Sequence, residues 1–299
     1  MELADLRDRF PAFDGLLVQI TGLLTRRRVV LAASDRVLSL AWWEQGEQRI
    51  ITTDLPPDLC QGGVPLQREV LAEMVADLLI EQGIASVSVE LELLLPLPSC
   101  DWRLLEGAAG LGDATSLRAL APEMTWPLQW QESYVAWTSL TERDIAMVVG
   151  ADRLILQAWI DTVASADLNL CQAEWLLVAA WRALQALNEP MKGEWVWLVE
   201  SEGIWRLVLL CEGLPELDVV LQATQLTSVR DEALFFLDAW DQKQRQVGVR
   251  RSWWMTAGPS WKGRWKEGHG AGLHGPLVSD GEMSLLQLAL KAPPAERRP

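Results

Sequence analysis

Trp195 to Leu221 reads WVWLVESEGIWRLVLLCEGLPELDVVL, and Val29 to Ile51 reads VVLAASDRVLSLAWWEQGEQRII. Each stretch is an apolar run, a polar turn, a second apolar run, a second polar turn and a third apolar run. The first turns are Ala33-Ser34-Asp35-Arg36 and Glu200-Ser201-Glu202-Gly203, and the second turns centre on Gly46 and Gly213. Glycine tolerates positive φ, and Ser, Asp and Glu stay solvated, so such clusters reverse the chain. Apolar runs of strand length between turns of this kind predict a three-stranded antiparallel meander. The sequence writes that meander twice.

The segments after the two meanders repeat as well. Leu66 to Gln82 places Leu66, Val70, Met74, Val75, Leu78 and Leu79 at helical spacing and stops at Gly83; a strand is expected over Ser86 to Leu95. After the second meander, Ser228 to Gln244 carries Ala233, Leu234, Leu237 and Trp240 at the same spacing, and a strand is expected over Val249 to Met255. The order βββαβ therefore occurs twice around an insertion. Duplication in fixed order constrains the whole fold more than a single motif does.

A duplicated βββαβ unit with an insertion after the first copy resembles the actin-like (ribonuclease H-like) ATPase superfamily. The stretch IAMVVGADRLILQAWIDTVASADLNLCQAEWLLVAAWRAL, Ile145 to Leu184, is similar to the PilM family of type IV pilus assembly. Asp152-Arg153-Leu154 opens the helix that this family places there, Ala166-Asp167-Leu168 stands where the family has Ala-Gly-Leu, and Glu174 holds an acidic strand-end position. The stretch LAEMVADLLIEQGIASVSVELELLLP matches the family's helix before its inserted domain. The resemblance implies an α/β fold: an actin-like duplicated βββαβ core with a small inserted α/β subdomain. The divisions expected are an arm at 1–24, a first repeat at 25–98, an inserted subdomain with its connecting helix at 99–190, a shortened second repeat at 191–290, and a frayed tail at 291–299. Gln131 to Leu140 and Ile145 to Val149 are the expected strands of the insertion. The family's long helical excursion after the second meander is missing, because only Gln222 to Thr227 separates that meander from the next helix.

In actin-like ATPases the two first turns and a Gly-Gly loop after a later strand hold nucleotide, through Asp-x-Gly sequences and backbone amides. The matching positions here are Ser34 and Asp35; Ser201, Glu202 and Gly203; and Thr256, Ala257 and Gly258, followed by Pro259. The first turn lacks Gly, the second sets Glu202 against the phosphate, and the third keeps one Gly of two while Pro259 removes a backbone donor. Phosphoryl transfer depends on such donors and on a metal-holding carboxylate. The expectation is a pseudo-ATPase with no catalytic residue, no metal site and no cofactor, ATP with magnesium being the disfavoured alternative. The resemblance implies a cytoplasmic scaffold of a pilus, secretion or competence platform. Its partner would be the cytosolic tail of a bitopic inner-membrane protein of the PilN type, with pilus motor components as further partners. The competing class is an actin-fold ATPase or kinase-like enzyme with divergent loops. A third is the related cytoplasmic domain of type II secretion proteins.

Composition limits the alternatives. With 299 residues, 49% of them hydrophobic, the chain can bury a sizeable core. A net charge of −15 opposes nucleic-acid binding and adsorption to anionic lipid. Cys60, Cys100, Cys171 and Cys211 are scattered, and His269 and His274 share one glycine-rich loop, so no metal spacing is present. The beginning, MELADLRDRFPAF, lacks the apolar core of a signal peptide, and no run is long enough to span a bilayer. Seventeen tryptophans, among them Trp42, Trp43, Trp195, Trp197, Trp205, Trp253 and Trp254 in expected strands, are read as core, with a partner groove as the sharper alternative. Arg26-Arg27-Arg28 is read as a solvated strand edge, and Glu90 with Glu92 as one solvated strand face. Trp261 and Trp265 interleave with Lys262, Arg264 and Lys266, the pattern of single-strand binders, but a glycine-rich loop suits so acidic a chain better.

Overall fold

The first meander forms as β1 (Arg27–Ala33), β2 (Val37–Glu44) and β3 (Glu47–Asp54). The structure is a computed structural model that describes residues 26–106, 117, 133–140, 144–187, 192–245, 251–257 and 284–292. A two-strand hairpin, β4 (Cys60–Gln61) and β5 (Val64–Pro65), precedes helix α1 (Arg68–Glu81). Gly83 ends that helix at φ +67, its amide donating to the Ile80 carbonyl at 2.9 Å. Then come β6 (Val89–Leu95), β7 (Cys100–Glu106), β8 (Ser133–Leu140) and β9 (Ile145–Asp152). Helix α2 (Arg153–Ser165) continues directly from β9. Its N-cap is Asp152, whose Oδ1 accepts from the amides of Leu154 at 2.8 Å and Ile155 at 3.1 Å. A cap of this kind contributes about 1 kcal/mol. β10 (Asn169–Trp175) and helix α3 (Leu176–Leu187) lead to the second repeat. That repeat consists of β11 (Glu194–Ser201), β12 (Ile204–Cys211), β13 (Leu214–Leu221), helix α4 (Leu226–Gln244), β14 (Arg251–Thr256) and the short helix α5 (Leu285–Ala289).

The two main sheets have the same order. One runs β10-β6-β1-β2-β3 and the other β13-β12-β11-β14; in each, the first strand of the meander lies between its hairpin partner and a later parallel strand. β7, β9 and β8 make a separate three-stranded sheet. The duplication read in the sequence is thus present strand for strand.

The described residues fall into two compact units. The first comprises those of Met1–Arg103, Ala108–Ser139 and Met147–Trp175. Its central strand β1 is buried from Val29 to Ala33 on both faces, which explains why that run is continuously apolar rather than alternating. Helices α1 and α2 pack together, and α2 also lies against β5 and β10. Trp102 and Trp175 meet edge to face, with ring centroids 5.3 Å apart.

In the second unit, Val196, Leu198, Trp205, Leu207, Leu209, Trp253 and Met255 form a core with Val229, Ala233 and Leu237 of α4. Helix α5 rests on β11 and on α3. Among the tryptophans expected in strands, Trp42, Trp197, Trp205, Trp253 and Trp254 are buried, which is the core reading; Trp43 is exposed.

β10 pairs in parallel with β6 as the fifth strand of the first sheet, and α3 sits in the second unit, where the Trp181 indole and the Gln185 amide both donate to the Gly213 carbonyl. Two expectations change. Arg26 precedes, and Arg27 and Arg28 open, a central strand rather than an edge. Parallel pairing of β1 with β6 sets Arg26 against Glu90 at 3.0 Å and Arg28 Nε against Glu92 at 2.6 Å, while Arg27 faces Glu44. Glu92 is therefore buried and ion-paired, not solvated. The arm at 1–24, the glycine-rich stretch 107–112, and the Trp, Lys, Arg and His positions between 258 and 274 lie outside the described residues.

Candidate functional site

The first meander turn is held by its own side chains. The Ser34 hydroxyl oxygen accepts from the amides of Arg36 at 3.3 Å and Val37 at 3.1 Å, closing the turn locally. Asp35 reaches out of the turn. Its Oδ2 accepts from the Gly62 amide and its Oδ1 from the Gly63 amide, each at 2.8 Å. Gly62 and Gly63 are the two-residue loop between β4 and β5, with φ of +60 and +81, the conformation a tight hairpin requires. The Gly63 carbonyl in turn accepts from the buried indole of Trp159, on α2, at 2.9 Å. Arg36 is exposed.

The second turn is tighter. Ser201 pairs with Ile204 across a two-residue loop, Glu202-Gly203, in which both residues have positive φ, +54 and +82. The Gly203 amide donates to Glu200 Oε1 at 2.8 Å. Glu202 and Gly203 are exposed and Ser201 is half-buried.

The third position lies beside the second, because β14 runs parallel to β11 with Thr256 opposite Val199. The structure thus brings Thr256 and Ala257 to the same end of the sheet as Ser201 to Gly203. Thr256 has no exposed surface, and its hydroxyl accepts from the Trp197 indole N–H at 3.1 Å. Ala257 is buried in the core that α4 covers. Gly258 lies outside the described residues. Ser34 and Asp35 belong to the first unit, and the other positions to the second.

Among the described residues no three His, Cys, Asp or Glu side chains are grouped to hold a metal, and no helix is long and apolar enough to cross a membrane. Burial first, and then the charges of Glu194 and Glu216, push the Cys211 thiol up to about 12, so it stays protonated and unreactive near neutral pH. Arg251 nearby keeps its charge despite burial. Its hydrogen bond to Asp241 and the charge of Glu194 outweigh desolvation and raise its pKa.

The Gly62-Gly63 clamp on Asp35 and the Trp197–Thr256 pair were not legible as sites in the sequence. Gly62-Gly63 reads as a plain loop, and nothing in a sequence pairs a strand tryptophan with a threonine fifty-nine residues later.

No family model matches the chain, and no curated protein matches it in sequence. Solved structures do match in shape. One is a PilM-PilN type IV pilus biogenesis complex, at TM-score 0.61 and 15% identity, covering 89% of this chain and 97% of that one. A second is a Bacteroides thetaiotaomicron protein of actin-like ATPase fold and unknown function, at TM-score 0.57 and 8% identity, covering 89% and 96%. A third is the cytoplasmic domain of EpsL, an inner-membrane component of the Vibrio cholerae type II secretion system, at TM-score 0.51 and 14% identity, covering 89% and 94%. The fold is that of the actin-like ATPases. In this actin-like chain, Asp35 and Thr256, the positions the resemblance would assign to nucleotide loops, are engaged with internal partners.

Proposed function

We propose that this chain is a non-catalytic actin-like scaffold of a type IV pilus or related secretion platform, and that it binds the cytosolic tail of a PilN-type inner-membrane protein. The observation that carries the non-catalytic half is the engagement of Asp35 by two backbone amides and of Thr256 by a buried indole. A carboxylate fastened to its own backbone is not poised to orient magnesium, and a hydroxyl with no exposed surface does not meet a phosphate.

The partner half draws on likeness of shape to a PilM-PilN complex and to the EpsL cytoplasmic domain. The surface of the first unit suits such a tail. On α1 and just before it, Leu66, Val70 and Ile80 are exposed at 51%, 41% and 71%, beside exposed Glu69, Glu73, Asp77 and Glu81. Leu154 is exposed at the start of α2, next to Arg153, whose guanidinium lies 5.0 Å from the centre of the exposed Tyr134 ring. Apolar anchors set among carboxylates fit a short amphipathic basic peptide, and the charge speeds encounter more than it tightens the complex. This reading places the protein in the cytoplasm, at the inner membrane through its partner.

The test is a titration of the full chain into a fluorescent peptide of the PilN-type tail from the same organism, at low and high salt, beside a titration of a fluorescent ATP analogue with magnesium. Saturable peptide binding weakened by salt, with no analogue binding, is the expected result. Analogue binding with turnover that depends on Asp35 or Glu202 sinks the scaffold reading in favour of the divergent enzyme. Absence of peptide binding at both salts removes the partner.

A further inference from the structure

The loop between β4 and β5 is built like an anion site. Gly62 and Gly63, both at positive φ, turn consecutive amides toward one carboxylate and donate to its two oxygens at equal distances of 2.8 Å. Converging backbone N–H groups form a concave donor pair suited to a negative group. The loop is closely packed beneath. Trp159 holds the Gly63 carbonyl, and a Cβ at Gly63 would lie 2.7 Å from Pro96 Cγ, so no other residue fits there without displacing the proline ring.

We propose that Gly62-Gly63 is a carboxylate-binding site with a built-in occupant, Asp35, and that this pair latches the first meander turn to helix α2. The chain of contacts is continuous within one unit: Asp35 to the two amides, Gly63 carbonyl to Trp159, and Trp159 to the body of α2. Tethering gives Asp35 a high effective concentration, so a free carboxylate competes only when the Asp35 side chain is removed. The ligand class is a small monocarboxylate, of which acetate and formate are the simplest. The proposal is independent of any membrane partner, since it concerns only what the two amides hold.

The experiment uses the full chain with Asp35→Ala and Asp35→Asn. Loss of two charge-assisted hydrogen bonds at a half-exposed position is expected to lower Tm by about 3–6 °C in Asp35→Ala. Asp35→Asn, which keeps one acceptor oxygen, should lose less. Sodium acetate should restore Tm of Asp35→Ala saturably, whereas sodium chloride at the same ionic strength should not, and the native protein should respond equally to both salts. Amide exchange at Gly62 and Gly63 should rise about tenfold in Asp35→Ala and fall again with acetate. The proposal is overturned if acetate acts on native and variant alike, or if exchange at the two glycines is unchanged in either variant. Should Asp35→Ala not fold, exchange in Asp35→Asn alone decides.

Discussion

Thr256→Val separates a structural hydroxyl from a ligand-binding one. Valine keeps the β-branched shape suited to strand β14 and removes only the acceptor. Trp197 then retains a buried indole N–H, because both residues have no exposed surface and their bond is 3.1 Å long. An orphaned buried donor costs about 1–3 kcal/mol. With an m-value of about 2 kcal/mol/M, the urea midpoint should fall by roughly 0.5–1.5 M. Trp197→Phe removes the donor instead and leaves a cavity where the larger ring was. The double variant has no unpaired polar group at the site, so its loss should be smaller than the sum of the single losses. A coupling of about 1 kcal/mol in that cycle is the signature of the bond. The assay is equilibrium urea unfolding followed by far-UV circular dichroism, repeated with the ATP analogue and magnesium. An unmoved midpoint for Thr256→Val, or a variant defective only in analogue binding, refutes the structural account of the third loop.

Charge and burial set the outcomes at two other places. Asp218→Ala should cost about 1.5–3 kcal/mol in the same urea assay, because it removes a charged hydrogen bond to Arg206 at a site where the two side chains are 11% (Arg206) and 6% (Asp218) exposed. The Cys211 thiol is raised from its ordinary 9.0 to about 12, so the stability it contributes is complete below about pH 9 and is lost as pH rises toward 12. Thermal melts of Cys211→Ser across the alkaline range should show a shallower decline than the native protein, and iodoacetamide should label exposed Cys171 ahead of Cys211.

The meanders were legible because their period and punctuation are local. Turns such as Glu202-Gly203 and the glycines at 46 and 213 reverse the chain whatever surrounds them, and both helices after the meanders fall close to their expected bounds. The membership of β10 and α3 was not legible. Asn169 to Trp175 alternates like any half-buried strand, and only the parallel register Leu91 with Leu170 and Leu93 with Ala173 shows which sheet it completes. β7 leaves little trace in the sequence, because Cys100 to Glu106 comes after Pro96 and Pro98 and mixes charge with apolar residues. Sequence order places Asp35 and Thr256 at turn and strand-end positions, but it does not show what they bind. Gly62, Trp159 and Trp197 are distant in sequence from the groups they bind, and hydrogen bonds of that kind leave no periodic trace.

The late arrival of β10 has a consequence for synthesis on the ribosome. β6 leaves the exit tunnel with one side of its backbone unpaired, and its proper neighbour is encoded only after β7, β8, β9 and α2. At about 5–20 residues per second, the interval from Leu95 to Trp175 is roughly 4–16 s. During that time Leu91, Leu93 and Leu94 offer a nascent, apolar, hydrogen-bonding rim to any other extended chain. The strands encoded between β6 and β10 thus set how long that edge waits for its neighbour. Slowing translation between codons 100 and 165 should lengthen chaperone association of the nascent chain and lower soluble yield, even though the finished protein is unchanged.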